Sequence, residues 1–153
     1  MLLDISKSVT LRSSAADVWA FLREPARVAG CLPSVHDFKP GNEPGRYTTL
    51  LVERLGPFQV RIPLTIDMSE DTAGRQIVAR VSGDDRAGQA RVRGEVRATV
   101  RPSDGGSIVE VASEVEVLGR MAALGAAPMR RRGDQVFDQF VRNIGFVVEQ
   151  SHG

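Results

Sequence analysis

Apolar and polar positions recur along the chain with two periods, and the changes of period mark its elements. In "DISKSVTL", Asp4–Leu11, apolar residues fall at Ile5, Val9 and Leu11 with Lys7 between them, the two-residue period of a strand. The period then lengthens. Ser14 followed by Asp17 has the spacing of a helix N-cap with an acidic third position, and Val18, Trp19, Phe21 and Leu22 supply a broad apolar face as far as Arg23. Pro25 suits the first turn of a second helix of about two turns, and Pro33 would clash with its continuation.

From Val35 the period is two again. "RYTTLLVERL" and "FQVRIPLTIDMSE" flank Gly56-Pro57, and the second run alternates sharply through Phe58, Val60, Ile62, Leu64, Ile66 and Met68, which predicts an antiparallel hairpin. "RQIVARVSG" and "ARVRGEVRATVR" continue the alternation. After Asp104-Gly105-Gly106, "SIVEVASEVEVL" sets Val109, Val111, Val115 and Val117 against Glu110, Glu114 and Glu116, so the arginines of one strand are expected to face the glutamates of the next. The final segment changes period once more. Val136, Phe137, Phe140, Val141, Ile144, Val147 and Val148 recur at steps of three and four, an amphipathic helix of at least about four turns. "GRMAALGAAPMRRRG" before it is helix-compatible, but Pro128 predicts a bend or restart near Ala126–Pro128.

One strand, two short helices, six further strands and one long helix allow few packings. A long curved antiparallel sheet has one apolar face to cover, and the last helix is the only element long enough to cover it. The expected fold is α+β: a curved antiparallel sheet of about seven strands wrapped around the C-terminal helix, as a single domain over 1–153.

Composition narrows the chemistry. Twenty basic residues against 19 acidic ones leave no excess charge for nucleic acid. One cysteine among 153 residues permits no internal disulfide, and a thiolate metal site would need more ligands than the chain carries, so no metal and no cofactor is expected. "MLLDISKSVT" has no basic segment leading into an apolar core, and no run approaches the roughly 18 apolar residues of a membrane span. A cytoplasmic location is expected, which still permits contact with the membrane surface.

Three stretches resemble one family. "REPARVAGCLPSV" is similar to the D-P-x-x-L-x-x-C-I-P-G segment of the carbon monoxide dehydrogenase G-subunit family, "VERLGPFQVRI" to its K-V-G-P-V-K-A hairpin, and "SEVEVLGRMAALG" to its last strand leading to G-G-K-L-A-Q-L-G. Two departures stand out: Ser34 replaces the glycine after the proline, and Pro128 interrupts a stretch that is normally continuous helix. The resemblance implies the helix-grip fold of START domains and the birch-pollen allergen superfamily. It also implies an accessory protein that binds a lipid- or quinone-like ligand and brings a molybdenum hydroxylase of the carbon monoxide dehydrogenase type to the membrane.

On this reading an apolar cavity lies between sheet and helix, the alternative being a filled core. Its walls are expected from Leu51, Glu53, Leu55, Val60, Ile62, Leu64, Val96, Val111, Met121, Leu124, Phe137, Phe140 and Ile144, with Cys31, Leu32 and Pro33 as a lid. Cys31 is expected to act as a small packing residue. Near the end of a short helix the dipole disfavours a thiolate, and His36 lies beyond a proline. Glu53 is the anomaly. If Leu55 pairs with Phe58, its carboxylate joins the inward apolar face, where it must be hydrogen-bonded or protonated; a bulge in "LLV" would turn it outward. Arg130, Arg131 and Arg132 read as a solvated helix face, with contact to an anionic lipid or a partner as the functional alternative. His152 carries no argument.

Two functions therefore stand: a non-catalytic carrier, and a cyclase- or dehydratase-type enzyme using Glu53 with His36 or Tyr47. The carrier is favoured because the inward faces offer one carboxylate and otherwise Thr49, Ser113 and aliphatic residues.

Overall fold

The computed structural model describes residues 1–150, apart from the side chains of Phe146, Glu149 and Gln150; His152 lies outside the described residues. Strand β1 (Leu2–Leu11) leads into helices α1 (Ala15–Leu22) and α2 (Pro25–Gly30), followed by strands β2 (Val35–Pro40), β3 (Arg46–Leu55), β4 (Phe58–Asp71), β5 (Gln76–Asp84), β6 (Arg91–Ser103) and β7 (Gly106–Leu118). A 3₁₀ turn at Arg120–Leu124 precedes helix α3 (Ala126–Gln150). The strands form one antiparallel sheet in the order β1-β7-β6-β5-β4-β3-β2, so every neighbour but β1 is reached by a hairpin.

Local chemistry accounts for the element ends. Ser14 caps α1, its Oγ accepting from the Asp17 N–H at 3.2 Å. Pro25 occupies the first turn of α2. Gly56 takes φ +57 at the β3–β4 turn, where the mirror-image hairpin turns require a positive angle, and Leu55 pairs with Phe58 as expected. Pro128 does not kink α3. It falls in the first turn of that helix, and the break comes one step earlier at Gly125, φ +81. On the outer face Arg93 stands opposite Glu116 and Arg101 pairs with Glu110, while Arg97 turns to Glu95 on its own strand.

Glycine shapes the curvature of the sheet. Gly83 and Gly94 lie at inward positions on adjacent strands, where an added Cβ would collide with the carbonyls of Pro63 and Glu114 respectively. Gly133 does a similar service on α3: a Cβ there would stand 2.6 Å from Ile5 Cδ1, so the helix comes close to β1.

The interior divides into two apolar clusters. One gathers α1, Cys31, Ile77, Val100 and Val109 around Ile144 and Val148 of α3. The other gathers Val60, Ile62, Leu64, Val92 and Val117 around Met121 and Met129. Between them, the inward-facing Ala79, Val81, Val96 and Ser113 and the helix residue Phe137 belong to neither cluster and are only half-buried. The contrast is measurable. Ile144→Ala, at 1% exposure, is expected to lose about 2–5 kcal/mol in urea unfolding, and Phe137→Ala under about 2 kcal/mol despite its larger side chain. Equal losses would mean that the middle of the interior is as tightly filled as its ends.

Candidate functional site

The pairing of β3 with β4 sets Glu53 opposite Val60, on the inward face with Leu51, Leu55 and Ile62. No bulge turns it away. Its side chain keeps 10% exposure, and the burial cost of the carboxylate is met by hydrogen bonds. Arg132 of α3 grips it with both arms of its fork, Nε to Oε2 at 2.7 Å and Nη2 to Oε1 at 3.2 Å, and Ser34 Oγ donates to Oε1. The third nitrogen of Arg132, Nη1, donates to Gln135 Oε1 at 3.2 Å.

Arg132 therefore corrects the expectation of one solvated arginine run. On a helix, positions two apart point about 200° apart, so 130 and 132 cannot share a face. Arg130 reaches the other way, its Nη2 bonding Asp4 Oδ1 on β1 at 3.0 Å, and Arg131 is exposed. Asp134, one turn beyond Arg130, pairs with Lys7 Nζ at 2.8 Å. Lys7 lies on the inward face of β1, and the hydrogen bond from its ammonium to Asp134, with the charges of Asp134 and Asp138, holds its pKa above the ordinary lysine value.

The Cys31–Pro33 segment is stitched to the same side of α3 as Arg132. Asn143, about three turns further on, donates from Nδ2 to the Cys31 carbonyl at 3.0 Å. Cys31 is buried, Leu32 half-buried and Pro33 exposed, and burial pushes the Cys31 thiol up, only partly opposed by Arg27. His36 is exposed on β2, and its carbonyl accepts from Thr49 Oγ1 at 2.6 Å. One arginine charge that does not offset burial falls short of the electropositive setting a nucleophilic thiol needs.

The other residues expected in a cavity wall separate into groups. Val60, Ile62, Leu64 and Met121 are buried in the second cluster, with Leu51, Leu55 and Leu124 packed against it. Ile144 is buried in the first, with Val111 and Phe140 packed against it. Val96 and Phe137 stand in the half-buried middle. A cleft of about 190 Å³ opens where the α1–α2 junction meets the sheet, lined by Leu22, Pro25, Tyr47, Met68 and Ile77 and edged by the Arg23–Glu70 ion pair. A second cleft of about 290 Å³ lies on the outer face by Arg91, Arg93 and Leu118, away from Glu53. Sequence reasoning found Glu53 but missed Ser34 and Arg132 as its companions, and Asn143 as the tie to the Cys31 carbonyl. The signal available for the first was Ser34 itself, a hydroxyl where the resembling segment carries glycine. Among the described residues no helix is long and apolar enough to cross a membrane.

Comparison with known proteins agrees with this architecture. The family model for CoxG, the G subunit of carbon monoxide dehydrogenase, matches residues 8–148. A conserved protein from Geobacillus kaustophilus superposes with a TM-score of 0.82 at 18% identity over 97% of each chain. A START superfamily protein from Mycobacterium smegmatis gives 0.69 at 17% identity, over 96% of this chain and 97% of its own. Norcoclaurine synthase from Thalictrum flavum, in complex with dopamine and hydroxybenzaldehyde, gives 0.65 at 14% identity, over 98% of this chain and 88% of its own. At these identities the likeness is one of fold. No curated protein matches the chain in sequence.

Two measurements check the site. Arg132→Leu strands a nearly buried carboxylate and is expected to cost about 1–3 kcal/mol in urea unfolding, whereas Arg130→Leu, which breaks an exposed pair, should cost under about 1 kcal/mol. Equal effects would return Arg132 to the solvated face. Iodoacetamide should alkylate Cys31 only as fast as the protein opens, so that mass-detected labelling at neutral pH accelerates with added denaturant; fast labelling of the folded protein would restore Cys31 as a reactive thiol.

Proposed function

The chain belongs to the CoxG family, the G subunits of carbon monoxide dehydrogenase, and from that premise we propose that it is a non-catalytic carrier and accessory protein. It holds a lipid- or quinone-like molecule between the sheet and α3, and serves a molybdenum hydroxylase of the carbon monoxide dehydrogenase type at the cytoplasmic face of the membrane. This role requires no cofactor in the chain itself.

The observation that carries the reading is the half-buried middle of the interior. Apolar side chains that face inward and still keep solvent access, between two closed clusters, are the lining a removable apolar ligand needs. Closed clusters at both ends keep the fold intact whether or not the middle is occupied. The walls of the site on this account are Val96, Ala79, Val81, Phe137 and the inner edges of Leu51, Val111 and Phe140, with Glu53 at the β3 side.

A cyclase- or dehydratase-type enzyme on the same fold draws less support. An acid–base carboxylate must present an oxygen to substrate, and three of the roughly four lone-pair sites of Glu53 are already taken by Arg132 and Ser34. His36 is exposed on the edge strand, out of line with the inward face.

Native mass spectrometry of the protein purified from its own host tests the reading directly: an apolar small molecule is expected to co-purify unchanged. Val96→Trp, which fills the middle of the interior, should lower its occupancy by more than about tenfold while the protein stays folded. Chemical conversion of that molecule by the wild-type protein would defeat the carrier assignment, and undiminished occupancy in Val96→Trp would move the site elsewhere.

A further inference from the structure

The polar pair on the interior face is electrically neutral, and its neutrality limits what a ligand can bring to it. A guanidinium has five N–H donors. In Arg132 two are directed at Glu53 and one at Gln135, so that among the described residues two remain beside a carboxylate that already accepts three hydrogen bonds. The exposures of the two side chains, 37% for Arg132 and 10% for Glu53, put the pair at a rim between β3 and α3, with the carboxylate inward and the guanidinium outward. Leu51 and Leu55, on the same face of β3, give the rim apolar neighbours.

The headgroup chemistry follows from charge. A hydroxyl, carbonyl or ester oxygen can accept one of the spare N–H bonds and adds no charge to the site. A carboxylate or phosphate would bring a second negative charge beside the nearly buried Glu53 carboxylate, and would have to compete with Glu53 for the same fork. Without Glu53 the same arginine would be an anion receptor.

Resting on the carrier reading, we propose that Glu53 is the residue that sets ligand specificity: by neutralising Arg132 it admits apolar molecules with an uncharged oxygen at the polar end and rejects those with an anionic head. Ser34 supports the choice by keeping the carboxylate in place, a duty that glycine at this position could not perform.

Three probes with one hydrocarbon chain separate the possibilities: dodecanol, methyl dodecanoate and dodecanoic acid, the last ionised at neutral pH. Each competes with the neutral fluorophore N-phenyl-1-naphthylamine on the full-length protein. The wild type is expected to bind the alcohol and the ester at least about tenfold more tightly than the acid. In Glu53→Gln the ratio should move toward the acid by about 10–100-fold, the range of a charged hydrogen bond released for a new partner. Arg132→Gln, which leaves Glu53 without its counter-ion, should move it further from the acid, and the double variant should lose the gain of Glu53→Gln. Thermal melts establish which variants are folded, and because the two single variants shift the ratio in opposite directions, either one alone suffices for the test. A ratio within about twofold of wild type in the folded variants overturns the proposal while leaving carriage intact. Failure of the wild type to bind the fluorophore or any probe defeats the carrier reading, and this inference with it.

Discussion

The structure depends on one long helix held inside a curved sheet by the apolar packing around Ile144 and Val148, and two ion pairs of opposite polarity orient the helix near its start. On β1 an inward lysine, Lys7, meets Asp134; on β3 an inward glutamate, Glu53, meets Arg132. Residues two apart on a helix point to nearly opposite sides, so the pairs pull α3 toward both ends of the sheet at once. Apolar contact alone would leave the rotation of the helix weakly specified, because burial is non-directional. Charged partners add direction: each pair selects which side of the helix meets which strand. The middle of the interior stays loosely covered between these two anchors and the closed apolar packing around Ile144 and Val148.

Much of this is legible in the sequence because period is a local property. Alternation through Phe58, Val60, Ile62 and Leu64 predicts a strand, a turn at Gly56-Pro57 predicts its partner, and together they place Glu53 inward. Ser14 and Pro25 announce their helices for equally local reasons. The failures are all long-range. Three consecutive arginines look alike in composition, and only the position of β3 beside α3 tells Arg132 from Arg130. Lys7 looks like an interruption of the apolar pattern of β1; it is a clamp, visible as one only when Asp134 is placed above it. Pro128 reads as a helix disturber, but the left-handed conformation of Gly125 just before it takes up the break, and proline is well tolerated in a first turn.

The segment around Cys31 illustrates how a chemically suggestive sequence can serve packing. The cysteine fills a buried place beside α1, its carbonyl is tied to Asn143, and the serine three residues later is the member of the segment that reaches the interior charge. A segment fastened to the helix at one point and to the Glu53 pair at another links helix, strand and connecting loop through one polar cluster. Displacing the arginine from Glu53 would disturb helix, strand and the Cys31–Ser34 segment together, which gives the rim a structural reach larger than its size.

The strand order carries a kinetic meaning. Six strands follow one another as a meander in which each pairs with its neighbour in sequence, and every such pairing closes a short loop. Strand β1 alone must wait, since its partner β7 is made about a hundred residues later, and loop-closure entropy makes that pairing the slow one. Lys7 travels with β1, so one of the two clamps on α3 is missing until the sheet is complete. The chain is thus built to assemble its curved wall first and to close its interior last, with the lysine on the inward face of the unpaired strand also discouraging pairing with another chain in the interval.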